Sequence, residues 1–359
     1  MSDHVYPRRA TARLGFSRLL SPIMRRRLAV LRRNTLAWIS LWVLVAIAVT
    51  SAGAPLIANE RPWLVKYDGH YFVPLFKDYP ATQFGGVLPT RADFSDPDIQ
   101  QAIDAHGWQW RAPIPYSFDT IDEANPAAVP SSPDSRHWLG TDDLGRDVLA
   151  RTLYGVRLSL AFATLITLIS LGVGVILGGI QGYFGGWVDL IGQRLTEIWA
   201  GMPLLYLVMI LASMFNASFW WLVFILSLFG WLQVVDYVRA EVLRTRALDY
   251  VAAARLMGLP SGAVLWRHVL PNSLVSTLSN LPFVFTTAIT SLVVLDYLGF
   301  GLPAGAPSIG EMTQQAQQNP HAPWISFTAF ITLAVLMTAL VFVGLGLRDA
   351  LDPRHSSVR

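Results

Sequence analysis

The 359-residue sequence contains no cysteine, and only 14% of its residues are charged against 53% hydrophobic. Without cysteine there is no disulfide framework, no thiolate metal site and no thiol redox chemistry. So little charge on so apolar a chain excludes an ordinary soluble domain and makes a membrane the expected solvent. Catalytic signatures are missing as well. No GxxxxGK[ST], HExxH or GxSxG occurs, so the glycine-rich stretch 172–186 is no ATP site by that motif. The seven histidines are scattered along the chain, which predicts neither a metal centre nor a catalytic residue.

Acid is nearly missing from residues 1–33, where Arg8, Arg9, Arg13, Arg18, Arg25, Arg26, Arg27, Arg32 and Arg33 face only Asp3. Such an arm suits nucleic acid or a membrane surface. This one leads at Thr35 into an apolar segment, so topology and anionic lipid head groups account for it and no nucleic-acid partner is expected. Residues 35–57 (TLAWISLWVLVAIAVTSAGAPLI) are long enough for the ~20 residues that cross a bilayer core. The small residues at 51–54 resemble a signal-cleavage site, but the apolar run exceeds a usual signal-peptide core, so an uncleaved first span is expected.

Beyond Ile57 the chain turns aromatic, proline-rich and acidic. Residues 60–147 hold fourteen acids against seven Lys or Arg, the reverse of the tail, which predicts the opposite side of the membrane. Asp68-Gly69 and Gly85-Gly86 suggest turns between short strands, and residues 96–106 (DPDIQQAIDAH) read as one capped helix. Five further apolar stretches follow, near residues 156–180, 190–215, 218–238, 273–300 and 324–347. The predicted fold is therefore an all-α polytopic membrane protein with six transmembrane helices and a small mixed extracytoplasmic domain between the first and second. Even parity puts both termini in the cytoplasm. Arg348, Arg354 and Arg359, and Arg239, Arg244, Arg246, Arg255 and Arg267 between spans four and five, carry the matching charge.

Within the spans, Gly174, Gly178, Gly182 and Gly186 recur every four residues, a pattern for close helix packing. Asp189, Gln193, Arg194 and Glu197 open the third span, which contains Pro203, so its first turns are expected at the interface or inside the bundle. The fifth span is rich in hydroxyls and contains Pro282. Thr286, Thr287, Thr290 and Ser291 are candidates for lining a solvated pathway, with helix packing as the equal alternative. Asp236, Arg239 and Asp296 fall near predicted span ends, where they are expected to reach water.

Residues 249–272, DYVAAARLMGLPSGAVLWRHVLPN, predict two short helices on the cytoplasmic side: one stopping at Gly258, the second capped by Ser261 and ending before Pro271. Ala252, Ala253 and Ala254 leave one face nearly bare, so that a partner's groove can close around the backbone. This loop resembles the coupling-helix signature of ABC-importer permeases at Ala253, Ala254, Gly258, Leu270 and Pro271. Ala252 replaces that family's usual glutamate, and His268 is the variant common in its peptide branch. A second segment, HWLGTDDLGRDVLARTLYGVRLSL at residues 137–160, is similar to the one preceding the second span in dipeptide, oligopeptide and nickel permeases. There Gly140 and Gly145 permit sharp turns, while Thr141, Asp142, Asp143, Arg146 and Asp147 suit a structural clasp that pairs charges and caps the next helix. QGYFGGWVD (181–189), LDYLGFGLP (295–303) and LRDALDPR (347–354) extend the resemblance. The aromatic insertion, with IPYSFDT at 114–120, is similar to that of the microcin C and peptide importer permease subunit.

The resemblance implies a basic tail (1–34), a first transmembrane helix (35–57), an extracytoplasmic insertion ending in GTDDLGRD (58–155), a core permease domain with coupling loop 240–272 (156–347), and a cytoplasmic tail (348–359). It further implies a homologous second permease, an ABC ATPase with two domains carrying ATP and Mg, an extracytoplasmic substrate-binding protein, and a peptide or peptide-like cargo. A permease for nickel chelates is the alternative within the branch. An ion-coupled secondary transporter is the alternative outside it, and would need paired ionisable residues within the spans and internal repeats, neither of which is evident.

Overall fold

A computed structural model describes residues 22–122, 129–215 and 218–351. Arg8, Arg9, Arg13, Arg18, Arg354 and Arg359 lie outside the described residues. The helices follow the apolar segments but overrun them at their polar ends. Where composition suggests only a basic tail, Pro22–Arg33 forms a helix, α1. Asn34 then turns the chain, its side chain accepting from the Ala37 amide at 3.2 Å, and caps α2 (Thr35–Ala52). A short α3 (Ala54–Ile57) leads out of the span.

Beyond α3, β1 (Leu64–Tyr67) is the centre of a three-stranded antiparallel sheet ordered β2-β1-β3, with β2 at His70–Phe72 and β3 at Gly107–Trp110. The Asp68-Gly69 turn closes the first hairpin with both residues at positive φ, 46° and 79°, the conformation a tight hairpin needs. Asp96 caps α4 (Pro97–His106) as its sequence predicts. Val65, Phe84, Phe94, Ile99 and Ile103 form this unit's own core.

Asp147 caps α5 (Val148–Phe184), 37 residues, about 55 Å at helical rise and longer than the apolar stretch alone. Three of the four spaced glycines meet α8 (Phe219–Thr245). A Cβ on Gly174 would stand 2.5 Å from the Val234 side chain, and on Gly178 and Gly182 within 2.7 and 2.8 Å of the Val235 and Arg239 carbonyls. Gly186 is different: with Gly185 it carries positive φ and turns the chain into α6 (Gly186–Ala200). Backbone approach this close has no slack, so Gly178→Leu should lower stability by several kcal/mol, overpacking alone costing ~1–3. Thermal unfolding in detergent checks this, with Gly172→Leu as control because nothing lies within 4 Å of that position.

Two predicted spans are broken. Gly201, Met202 and Pro203 separate α6 from α7 (Leu204–Met214), a bend of 64°. Ser279 and Asn280 separate α11 (Leu270–Leu278) from α12 (Leu281–Tyr297), where the bend is 58°. Proline removes an amide donor and pushes its predecessor out of helical geometry, which accounts for the break before Pro203; at the second break Pro282 opens the new helix. After α12 come α13 (Ile309–Gln318), capped by Ser308, and α14 (Pro323–Leu351). Among the described residues, four helices are long and apolar enough to cross a membrane, or up to six spans if each bent pair is one. The chain is a polytopic helical membrane protein with a small mixed unit beside it. Phe162, Ile166, Val208, Leu222, Ile225, Ile289, Leu292 and Leu336 bring α5, α7, α8, α12 and α14 into one core.

Candidate functional site

The loop after α8 forms α9 (Asp249–Leu256), a turn through Gly258 at φ +81°, and α10 (Ser261–Val264). The second helix departs from the expected one at both ends. Pro260 occupies its cap position with no side-chain bond, so Ser261 is its first residue rather than its cap. It also does not stop before Pro271. A π turn at Leu265–Val269 runs directly into α11, with Pro271 in the first turn. The wide turn makes room for the ring, which an ordinary turn would drive against the carbonyl four residues back. The His268 carbonyl in that turn accepts from the Asn272 side-chain Nδ2 at 2.8 Å and the Tyr250 hydroxyl at 3.2 Å, tying α9 to α11.

Val251 and Ala254 are buried against Tyr183, Val264, Leu265, Val269 and Leu270, whereas Ala252 and Ala253 face outward, exposed. Leu256 (89% accessible) and Met257 (75%) form an apolar tip beside them. His268 is half-buried, Leu270 buried and Pro271 exposed. Arg255 lies over the Tyr183 ring, 4.9 Å from its centroid, and Arg246 donates to the Tyr183 carbonyl at 3.1 Å. The end of α5 is thus gripped at Tyr183 by one arginine before α9 and one in its last turn; neither this role of Tyr183 nor the Tyr250–Asn272 link is announced by any spacing in the sequence.

At the other end of α5 the GTDDLGRD segment folds into a buried polar knot. Asp142 accepts from the Arg146 side chain (2.7 Å) and from the amides of Arg146 (2.9 Å) and Leu144 (3.0 Å). Asp147 accepts from the Ala150 amide at 2.7 Å, capping α5, and pairs with His137 at 2.9 Å. Thr141 accepts from the Ser131 amide at 2.8 Å while its carbonyl takes the Trp324 indole at 3.0 Å. Gly140 (φ +73°) admits no side chain, since a Cβ would stand 2.6 Å from the Ser131 carbonyl; Gly145 takes φ +81° in the next turn. Asp143 stands 4.0 Å from Arg146, and its Oδ1 has no hydrogen-bond partner among the described residues. Burial, then the Asp142 charge, raises its pKa.

Glu311 completes the knot from α13, bonding Arg151 at 2.8 Å and Arg146 at 3.3 Å. Neither Arg151 nor Glu311 is separable from ordinary helix polarity in the sequence, 160 residues apart. Asp296, expected at water, is buried and accepts from the Leu302 amide (2.7 Å) and the Ser308 hydroxyl. Arg239 is likewise tied, to Asp189 by two bonds of 2.5 and 2.8 Å, while Asp236 is exposed.

His137 is fully buried between Asp147 and Asp122 (3.3 Å) under the stacked Tyr116 ring. Burial alone would lower its pKa, but the bonds and charges of Asp147 and Asp122 outweigh it and the net shift is upward. Burial, then Asp122, pushes Tyr116 up to about 12. A raised histidine pKa contributes stability fully present below the unfolded value of ~6.5 and lost as pH rises through the folded value. Thermal midpoints should therefore fall across that window, and His137→Gln should remove the pH-dependent part.

Thr286, Thr287, Thr290 and Ser291 line one cleft of about 370 Å³ with Leu204, Leu205, Val294 and Leu295. The three threonine hydroxyls donate to the Pro282, Phe283 and Thr286 carbonyls of their own helix, so they offer acceptor lone pairs and methyls to the cleft.

Residues 150–357 match the binding-protein-dependent transport system inner membrane components, and residues 23–80 the N-terminal transmembrane domain of oligopeptide transport permease C. The chain is 46% identical over 337 residues to the inner membrane ABC transporter permease protein YejE of Escherichia coli, covering 94% of this chain and 99% of that one. It is 41% identical to the peptidoglycan transport system permease protein YejE of Agrobacterium fabrum, over 94% of each chain. With the oligopeptide transport system permease protein OppC of Bacillus subtilis it shares 34% identity, over 67% of this chain and 78% of that one. The α5–α14 bundle, with its α9–α10 helix pair at one end of α5 and its buried polar knot at the other, thus belongs to the family of binding-protein-dependent transport system inner membrane components, and the chain is a membrane permease subunit of an ABC transport system.

Proposed function

We propose that the chain is one of two permeases enclosing an import pathway for peptides or peptide-like compounds, with residues 249–272 seated on an ABC ATPase. The observation that carries this reading is α9: apolar on its inner face, bare at exposed Ala252 and Ala253, and ended by an exposed apolar tip at Leu256 and Met257. Exposed apolar surface of this kind beside a rigid helix pair calls for a protein partner. ATP and Mg act on that partner's two domains. Their closure presses on α9, and Tyr183 and Tyr250 pass the displacement to α5 and α11.

The charge distribution supports cytoplasmic termini and an outer face at the sheet and the GTDDLGRD knot. An extracytoplasmic binding protein delivers cargo to that face. The hydroxyl-lined cleft between α7 and α12 suits a polar backbone without selecting a side-chain charge. Relatives that carry oligopeptide or peptidoglycan transport in their names support this cargo class. Affinity capture of the tagged chain from mild detergent, with mass spectrometry, tests the assembly: a homologous permease and an ATPase should come with it, and a chain recovered alone would overturn the reading.

A further inference from the structure

The corner between α1 and α2 brings together two features that a phospholipid joins in one molecule. Arg32 and Arg33 are exposed at the end of α1, a helix with no acid in its first turn and these two arginines in its last. Neither has a carboxylate partner among the described residues, and Arg32 is held over the Trp38 ring, 5.0 Å from its centroid. The corner is fixed from behind: Ala37 is buried, and Gly346 of α14 is packed so closely that a Cβ there would stand 2.2 Å from Ala37 and 2.9 Å from Leu31.

Immediately along α2, Leu36, Ile39 and Trp42 are each more than half exposed (58, 55 and 57%) and recur every third residue, a slanting apolar stripe that Val45 and Val49 continue. Trp42 meets Trp38 edge-on at 5.8 Å, so the ring under the guanidinium touches the top of the stripe. Cations and an indole at the water boundary above an exposed apolar helix face match the phosphate and acyl chain of a lipid in geometry and in sign. Guanidinium forks suit phosphate oxygens, and stacking on the indole pre-orients one of them.

We infer that this corner binds an anionic phospholipid, its phosphate between Arg32 and Arg33 and an acyl chain along Leu36, Ile39 and Trp42. A zwitterionic head group would set its own cation against the two arginines, so the site distinguishes lipids by net charge. The inference needs only that α2 spans the membrane and does not depend on the ATPase partner or the cargo.

The test is native mass spectrometry of the full chain titrated with phosphatidylglycerol or phosphatidylcholine of equal chain length. The unmodified chain should retain phosphatidylglycerol preferentially. Arg32→Gln/Arg33→Gln should weaken that retention about thirty-fold, at ~1 kcal/mol per arginine near a charged surface, with the thermal midpoint in lipid-free detergent unchanged. Arg32→Lys/Arg33→Lys should recover part of the preference through charge alone, which separates lost binding from lost folding. Equal retention of the two lipids by the unmodified chain, or a glutamine variant that keeps the preference, would overturn the inference.

Discussion

An aspartate at position 253 should leave the chain folded and in the membrane and abolish substrate-stimulated ATPase activity of the assembled transporter. Ala253 is exposed on the outer face of α9, beside Ala252 and away from the buried Val251 and Ala254. In the isolated chain the carboxylate stands in water, and the cost is the helix propensity difference, below ~1 kcal/mol. Inside a groove closed on the alanine face the same group loses its water and finds no built partner. An unpaired charge buried this way costs several kcal/mol, enough to reduce the assembled fraction more than a hundredfold. Gly258→Glu should act similarly and add strain, because the turn holds φ at +81°, a region costing a side chain ~1–2 kcal/mol. Membrane fractionation, copurification of the ATPase and peptide-stimulated hydrolysis read the three quantities separately. Full stimulated activity in Ala253→Asp would remove α9 from the contact.

Asp142→Ala should be the most damaging single change in the GTDDLGRD knot, costing about 3–5 kcal/mol, the range for breaking a buried ion pair on one side. Asp142 is wholly buried and satisfies the Arg146 side chain and two backbone amides. Removing it leaves Arg146 and the fully buried Arg151 with Glu311 as their remaining short carboxylate contact. Asp142→Asn keeps the amide contacts and loses charge, so it should fall between the two. Glu311→Gln should cost less than Asp142→Ala, because Glu311 is a quarter exposed. The loss should show as reduced recovery of monodisperse protein and a lower thermal midpoint; a change under ~1 kcal/mol would mean that the knot holds nothing.

Helix positions were legible wherever the cause was local. Asp96 and Asp147 cap the helices that follow them, and Gly258 ends α9, because each depends on a neighbour within a few residues. The glycine series was legible as a packing face, but its fourth member turns the chain, a distinction set by where α5 ends. Pro203 and Pro282 were visible, yet a hydropathy run averages over a break, so two bent pairs read as two straight spans. Pro271 misled in the opposite direction, because a π turn absorbs it and no residue spells a π turn.

For the site, Ala252 and Ala253 were legible as bare outer positions of α9, whereas Ala254, expected on the same face, turns inward and is buried, because the helical period carries it round to the side of Val251. The Arg151–Glu311 pair, the Tyr250–Asn272 link and the burial of Asp296 were not legible. Each joins side chains whose proximity is decided by how the helices pack, so an isolated acid near a span end looks the same whether water or a folded-back loop meets it.

The most direct measurement uses the chain's lack of cysteine. A single cysteine at Ala252 creates a unique attachment point on α9, for a short photoactivatable crosslinker in membranes expressing the whole transport system. The product should be a covalent adduct with the ATPase subunit, absent for a single cysteine at Gly172 on α5. A crosslinker at position 252 that never captures the ATPase, in membranes that transport cargo normally, would contradict the account.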